Sequence, residues 1–277
     1  MTKSQSQTAT TGSRGVLVTG ASRGVGAATA YAFAARGDRV LVHFHRNEQA
    51  ARNVLAGLPG SGHALCAADL ADPDQAPALT DAAVRVLGRI DVLVNNAAMI
   101  VAPEPGSGGS RRGTHELETT SYQDWTRIWQ QTVATNLLGP ANLTWCVARQ
   151  MIEVPPAAGV PVGRIVNTGS RGAYRGEPDI PAYGAAKAGL HAFGQSMAQR
   201  LAPHGIAVTT VAPGFIDTEM AGYALDDDRA AGTRAQSPFN RIATTEEIAA
   251  AIVMLAEPQL EWASGAVLDL NGASHLR

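Results

Sequence analysis

Lysine is almost missing from this chain of 277 residues. Lysine and arginine together number 22, yet only Lys3 and Lys187 are lysine. There are two cysteines, Cys66 and Cys146, far apart and with no partner spacing. That excludes a disulfide framework and a cysteine-built metal site, and it predicts reduced core thiols in a cytoplasmic protein. No apolar run approaches the ~20 residues of a membrane helix. The opening "MTKSQSQTATTGSRG" lacks the apolar centre of a signal peptide, so residues 1–14 are expected to form a disordered polar tail. A net charge of −2 offers no attraction for nucleic acid or an anionic membrane. What has to be explained is why an arginine-biased chain keeps one lysine in its middle, in "YGAAK".

What is present reads as one α/β domain over residues 15–277. Apolar residues make up 45% and charged ones 17%, a globular balance. Seven runs read as strands: 16–20, 39–45, 64–70, 91–97, 164–170, 207–213 and 266–271. Most are continuously apolar, as strands covered on both faces must be. Helical patterns fill 24–36, 74–88, 121–152, 182–202 and 245–256. This alternation predicts a single-domain Rossmann fold, a doubly wound seven-stranded parallel sheet with helices on both faces. Loops are expected at 103–116, 154–163 and 217–241. The first and third leave the carboxyl ends of strands, where open sheets bind ligands; the second lies on the opposite side.

"VLVTGASRGVG" places Gly20, Gly24 and Gly26, with Ser22, Arg23 and Val25 between them, after a strand and into a helix. Glycines there permit a tight turn and close approach of a pyrophosphate to the free amides of a helix N-terminus. At the end of the second strand no acid is available for a ribose 2′-hydroxyl. The sequence offers Phe44, His45, Arg46 and Asn47, with Arg23 in the glycine loop. Guanidinium and imidazole suit a 2′-phosphate, so NADPH is expected rather than NADH.

Several motifs occur in a fixed order: "TGASRGVG" (19–26), "ADL" (68–70), "NNAA" (95–98), "TNLLG" (135–139), "NTGS" (167–170), "YGAAK" (183–187) and "PGFIDT" (213–218). In these the chain resembles the short-chain dehydrogenase/reductase family in its compact form, over residues 15–273. The pattern is closest to members similar to 3-oxoacyl-carrier-protein reductases. The resemblance implies a tetrad of Asn136, Ser170, Tyr183 and Lys187. It also implies cofactor contacts from Asp69, Leu70, Asn96, Ala97, Ala98, Pro213, Gly214, Ile216 and Thr218, besides Tyr183 and Lys187. A homotetramer, a small carbonyl substrate and an acyl carrier protein as partner belong to the same expectation, and no metal does.

The residue types suit those roles. Carbonyl reduction needs a proton for the developing alkoxide, and free tyrosine, with a pKa of ~10, is a weak donor. Lys187 lies one helical turn from Tyr183, and its ammonium, with the positive nicotinamide of the oxidised cofactor, would lower the phenol pKa. Ser170 can hold the substrate oxygen, and Asn136, in the long helix before the fifth strand, would anchor a water leading to solvent. Lysine is a compact charge whose pKa can move, and arginine is neither. That answers why Lys187 is kept.

Two departures stand out. Ala98 replaces a usual glycine. "LVHFHRN" resembles the pteridine reductases, but Ser170 and Ile100 stand where those enzymes carry an aspartate and a stacking aromatic. Pocket candidates are Ile100, Val101, Tyr174, Phe215, Met220 and Tyr223, with Arg171 and Arg175 expected as solvated charges. Arg111 and Arg112 sit in the 103–116 loop, a candidate lid. Three functions stay open: an NADPH-dependent ketone reductase, an NAD-linked alcohol dehydrogenase, and a catalytically idle NADP-binding regulator.

Overall fold

A computed structural model describes residues 13–104, 113–156, 161–225 and 227–277. Seven strands form one parallel sheet in the order β3-β2-β1-β4-β5-β6-β7. They are β1 (Gly15–Val18), β2 (Arg39–Phe44), β3 (Ala64–Ala67), β4 (Val92–Asn95), β5 (Gly163–Thr168), β6 (Ile206–Pro213) and β7 (Val267–Leu270). The order reverses between β1 and β4, which creates the crevice where doubly wound sheets take ligands.

Alternation along each strand builds two cores. Val16 and Val18 of β1 face one layer with Val40, Val42, Val92 and Val94, packing on Phe33, Ile248 and Ile252. Leu17 faces the other layer with Leu41, Leu93, Ile165 and Val208, against Leu79, Leu143 and Met151. A continuous "VLV" is thus two half-patterns of period 2. The first layer is covered by α1 (Gly24–Ala34) and α8 (Thr245–Leu255). The second is covered by α3 (Gln75–Leu87), α5 (Gly139–Glu153) and α6 (Pro181–Leu201). The remaining helices are α2 (Glu48–Gly57), α4 (Tyr122–Val133) and α7 (Asp227–Ala235); α2 had not been singled out in the sequence. Caps mark several starts. Ser121 accepts from the Asp124 amide, and Thr244 forms a reciprocal capping box with Glu247.

Two differences from the sequence expectations stand out. Arg14, at the edge of the polar tail, is buried and pairs with Asp38 at 2.7 Å, so the packed chain begins before Gly15. The helix expected over 121–152 is interrupted by a π turn at Ala134–Leu138, after which α5 starts with Pro140 in its first turn. The 154–163 loop follows α5 as expected, while residues 157–160 lie outside the described residues. So do 105–112, which hold Arg111 and Arg112. No described helix is long and apolar enough to cross a membrane.

Candidate active site and cofactor crevice

The turn from β1 to α1 is built for close approach. Gly20 and Gly24 have φ of +63° and +55°, a region side chains avoid. At Gly26 a Cβ would stand 2.3 Å from the Gly20 carbonyl oxygen. Among the described residues, the main-chain N–H groups of Ser22 through Gly26 have no acceptor, and the helix cap Arg23 supplies no side-chain bond. These amides, at a positive helix end, fit the pyrophosphate of a dinucleotide. Val25 points into the core.

The sequence reading missed what holds this turn. His43, in β2, is 2% exposed. Its Nδ1 accepts from the Gly20 N–H at 3.0 Å, and its Nε2 lies 3.0 Å from the Ala68 carbonyl oxygen. Burial pushes its pKa down to about 4. Thr19 is a second missed residue. Its hydroxyl receives the amides of Asn96 and Ala97 at 2.9 and 3.0 Å and donates to Val94 O at 3.1 Å. Both signals were in the sequence, as a polar residue at the carboxyl end of an otherwise apolar strand.

At the end of β2, His45 and Arg46 are exposed, with His45 Nε2 3.5 Å from Asp69 Oδ2. Asn47 caps α2, its Oδ1 accepting from the Ala50 amide at 3.0 Å. Asp69 receives the Ala71 amide at 3.0 Å and so shapes its own turn, while Leu70 is buried in the second core. Arg23 is not free in solvent: its guanidinium meets Glu219 at 2.6 Å, although the side chains are 67% and 77% exposed. Asn96 donates to the Thr19 and Gly20 carbonyls at 2.9 and 3.3 Å, and Ala97 and Ala98 continue the half-buried strand end.

Opposite the glycine turn runs the segment after β6. Pro213 is buried, and Gly214 donates to Leu270 O at 3.1 Å. Ile216 bridges to Ala243. A Cβ on Gly24 would stand 3.4 Å from Thr218 Cγ2, so this segment closes on the turn. Residues 213–218 and 20–26 thereby form two walls of one crevice.

Three of the four expected tetrad residues, Ser170, Tyr183 and Lys187, come together beyond β5. Ser170 follows the strand in extended conformation, and its Oγ accepts from the Gly172 amide at 3.0 Å. That leaves its hydroxyl proton to donate. Tyr183, on α6, is hydrogen-bonded to Ser170 and half-buried. Its pKa is pushed up to about 12, first by burial, with Ser170 opposing and Glu177 adding to the rise. The lowered phenol pKa expected from sequence is therefore not found in the protein alone. Lys187, one turn on, is 2% exposed, donates to Thr168 O at 2.7 Å, and is brought down to about 8 by burial.

Asn136 sits within the π turn and is fully buried. Its amide is spent on one residue: Oδ1 accepts from the Met99 N–H at 2.9 Å and Nδ2 donates to Met99 O at 2.8 Å. A water held by Asn136 would then have to be held by its main chain. π turns of this kind occur often at functional sites. His191, a further turn along α6, also went unnoticed. It is buried, accepts from the Ser170 amide through Nε2 at 3.3 Å, and is lowered to about 4 by burial and then by Lys187.

The pocket candidates are less united. Val101 belongs to a small core with Ile128 and Ala182. Ile100 is half-buried against Gly113 and Met220 is exposed. The Tyr174 ring lies 5.0 Å from that of His191, with the Arg277 guanidinium 3.9 Å from its centre. Phe215 lies under the Arg171 guanidinium at 4.7 Å. Arg171 is buried, not solvated, and is hydrogen-bonded to Gln236 at 2.6 Å and to Ser274. The Tyr223 side chain lies outside the described residues.

Comparison with known proteins gives the family. The sequence pattern of the short chain dehydrogenase family matches residues 14–229. The 3-oxoacyl-(acyl-carrier-protein) reductase of Salmonella typhimurium is 34% identical over 260 residues, covering 94% of this chain and 96% of that one. A short-chain type dehydrogenase/reductase of Picea abies is 30% identical over 269 residues, covering 94% and 92%. A short chain dehydrogenase of Burkholderia cenocepacia, solved in complex with NADP, superposes with a TM-score of 0.79 at 29% identity, covering 94% of this chain and 97% of that one. The chain belongs to the short-chain dehydrogenase family, the NAD(P)-dependent oxidoreductases that act on the alcohol/carbonyl couple.

Proposed function

We propose that the protein is an NADPH-dependent reductase that converts a ketone, 3-oxoacyl-like or another small carbonyl compound, to a secondary alcohol. The observation that carries this reading is the convergence of three side chains at the carboxyl edge of β5: Ser170 is hydrogen-bonded to Tyr183, and the Lys187 ammonium, held by Thr168 O, lies 5.6 Å from the Tyr183 ring centre. A binding module would have no use for a buried ammonium one turn from a half-buried phenol, which argues against an idle regulator. When bound, the dihydronicotinamide supplies the hydride.

The chain's own residues do the rest. Ser170, its Oγ fixed by the Gly172 amide, donates its proton to the carbonyl oxygen and polarises it. Tyr183 is a phenol at neutral pH, so it carries the proton that the developing alkoxide needs. As the proton leaves, the Lys187 ammonium, whose Nζ is 5.6 Å from the ring centre, offsets the charge on the phenolate. Ser22 through Gly26 would receive the pyrophosphate, and Asn96, Ala97, Pro213, Gly214 and Thr218 would line the nicotinamide half of the crevice.

Exposed Arg46, His45 and Arg23 support NADPH over NADH, as does the NADP complex of the Burkholderia relative. One observation favours the NAD-linked dehydrogenase: Asp69 sits 3.5 Å from His45, and a carboxylate there repels a 2′-phosphate. Titration of both coenzymes separates the two. An acyl carrier protein as carrier of the substrate, a homotetramer and a cytoplasmic setting belong to the same proposal; the reductase relatives support the first. The test is NADPH consumption with a panel of ketones, wild type against Tyr183→Phe. Turnover that survives in the variant overturns the mechanism.

A further inference from the structure

We propose that His43 is a positioning residue for the cofactor, holding the first glycine of the turn so that the amides after it face the pyrophosphate. The inference rests on the reading of the β1–α1 turn as the cofactor site.

The geometry fixes the state of the ring. The Gly20 main-chain N–H is a donor and nothing else, and it points at Nδ1 from 3.0 Å. Nδ1 must therefore be bare. In a neutral imidazole the proton then sits on Nε2, where it meets the Ala68 carbonyl oxygen at 3.0 Å. Both ring nitrogens are used, in a place with 2% exposure. The main chain tightens the arrangement, because the Ala21 N–H donates to His43 O at 2.8 Å and the Ala68 N–H to Phe44 O at 3.0 Å. One side chain thus ties three strand ends together: the turn leaving β1, the end of β2, and the Ala68–Leu70 segment leaving β3.

The consequence for binding follows from where Gly20 stands. Its φ of +63° sets the direction of the chain into Ser22 and Arg23. A glycine in that region has broad freedom, and only an outside contact restricts it. His43 supplies the contact at the Gly20 amide, and the five open amides begin two residues later. With the ring gone, the Gly20 N–H and the Ala68 carbonyl lose their partners in a buried place, and the turn shifts to satisfy them. The amides would then have to be reordered on binding, which weakens affinity without touching Ser170, Tyr183 or Lys187.

The experiment compares His43→Leu and His43→Asn with wild type. Leucine keeps the bulk and removes both polar contacts. Asparagine keeps an acceptor near the Nδ1 position and so preserves the bond to Gly20. NADPH affinity is measured by fluorescence titration without substrate, melting temperature by calorimetry, and kcat at saturating cofactor on a ketone that wild type reduces. The expected result is a Kd for NADPH raised roughly tenfold or more in the leucine variant, recovery of most of that loss in the asparagine variant, and kcat within about twofold throughout. Unchanged Kd in the leucine variant, or equal loss in both variants, overturns the role given to His43. A fall in kcat or melting temperature with Kd unchanged overturns it too, by making the residue structural only. If wild type itself fails to bind NADPH or NADH, the cofactor reading of the turn falls and this inference with it.

Discussion

Lys187 Nζ lies 5.6 Å from the centre of the Tyr183 ring while its hydrogen bond goes to Thr168 O, at 2.7 Å. The two side chains are one helical turn apart, yet the ammonium is anchored to the sheet and not to the phenol. Lys187 would act on the tyrosine by field, from a buried site where charge is weakly screened. Replacing Tyr183 by phenylalanine removes the proton donor and its hydrogen bond to Ser170. Turnover should fall by about 10²–10⁴-fold, with NADPH affinity and melting temperature close to wild type. Steady-state kinetics beside a cofactor titration checks this.

The pH dependence follows from Lys187. Its pKa in the folded protein is lowered to about 8 from the ordinary 10.5 by burial. Below pH 8 it is cationic and supports the phenolate left by reduction. Above pH 8 it loses that charge, so kcat/KM for ketone reduction should decline from about pH 8 upward. Alcohol oxidation needs the phenolate, which loses the same support, so it should gain nothing from this titration. Stability runs opposite to reduction. Between pH 8 and 10.5 the unfolded chain holds a proton that the folded one has released, so this group stabilises the fold increasingly as pH rises through that window. A reduction profile that stays flat to pH 10 would contradict the assignment.

Glu219 holds the Arg23 guanidinium that the proposed reading gives to the cofactor 2′-phosphate. The pair spans from the start of α1 to the segment after β6, at 2.6 Å, with both side chains mostly exposed. An exposed pair contributes at most about 1 kcal/mol. Glu219→Gln should therefore tighten NADPH about twofold to fivefold and leave NADH nearly unchanged. Tightening of both coenzymes alike would show that Arg23 does not discriminate by the 2′-phosphate.

The sheet was legible because apolar strands and glycine turns are written locally. "VLV" and "RVLVHF" became β1 and β2 within a residue or two. The proximity of Ser170, Tyr183 and Lys187 was legible too, through their spacing. What stayed hidden depends on contacts between distant segments. Nothing near His43 says that Gly20 and Ala68 flank its ring. Nothing near Arg171 says that Gln236, Ser274 and Phe215 bury it. The π turn at Asn136 was invisible because its sequence is ordinary helix, and the extra residue is set by tertiary bonds to Met99.

Those bonds make Asn136 a sharper structural test than any other tetrad member. Its side chain satisfies both main-chain groups of Met99, in a place with no exposure. Alanine would leave a buried N–H and a buried C=O without partners, at a cost of about 1–3 kcal/mol each. The loop from Met99 onward carries Ile100, so it would lose its anchor beside the substrate. Asn136→Ala should lower the melting temperature and raise the KM for ketone. Asn136→Asp keeps one acceptor for the Met99 amide but sets a carboxylate against the Met99 carbonyl. It should be no more stable than alanine. If Asn136→Ala lowers kcat alone, with stability and both KM values unchanged, then the residue works through water and not through Met99.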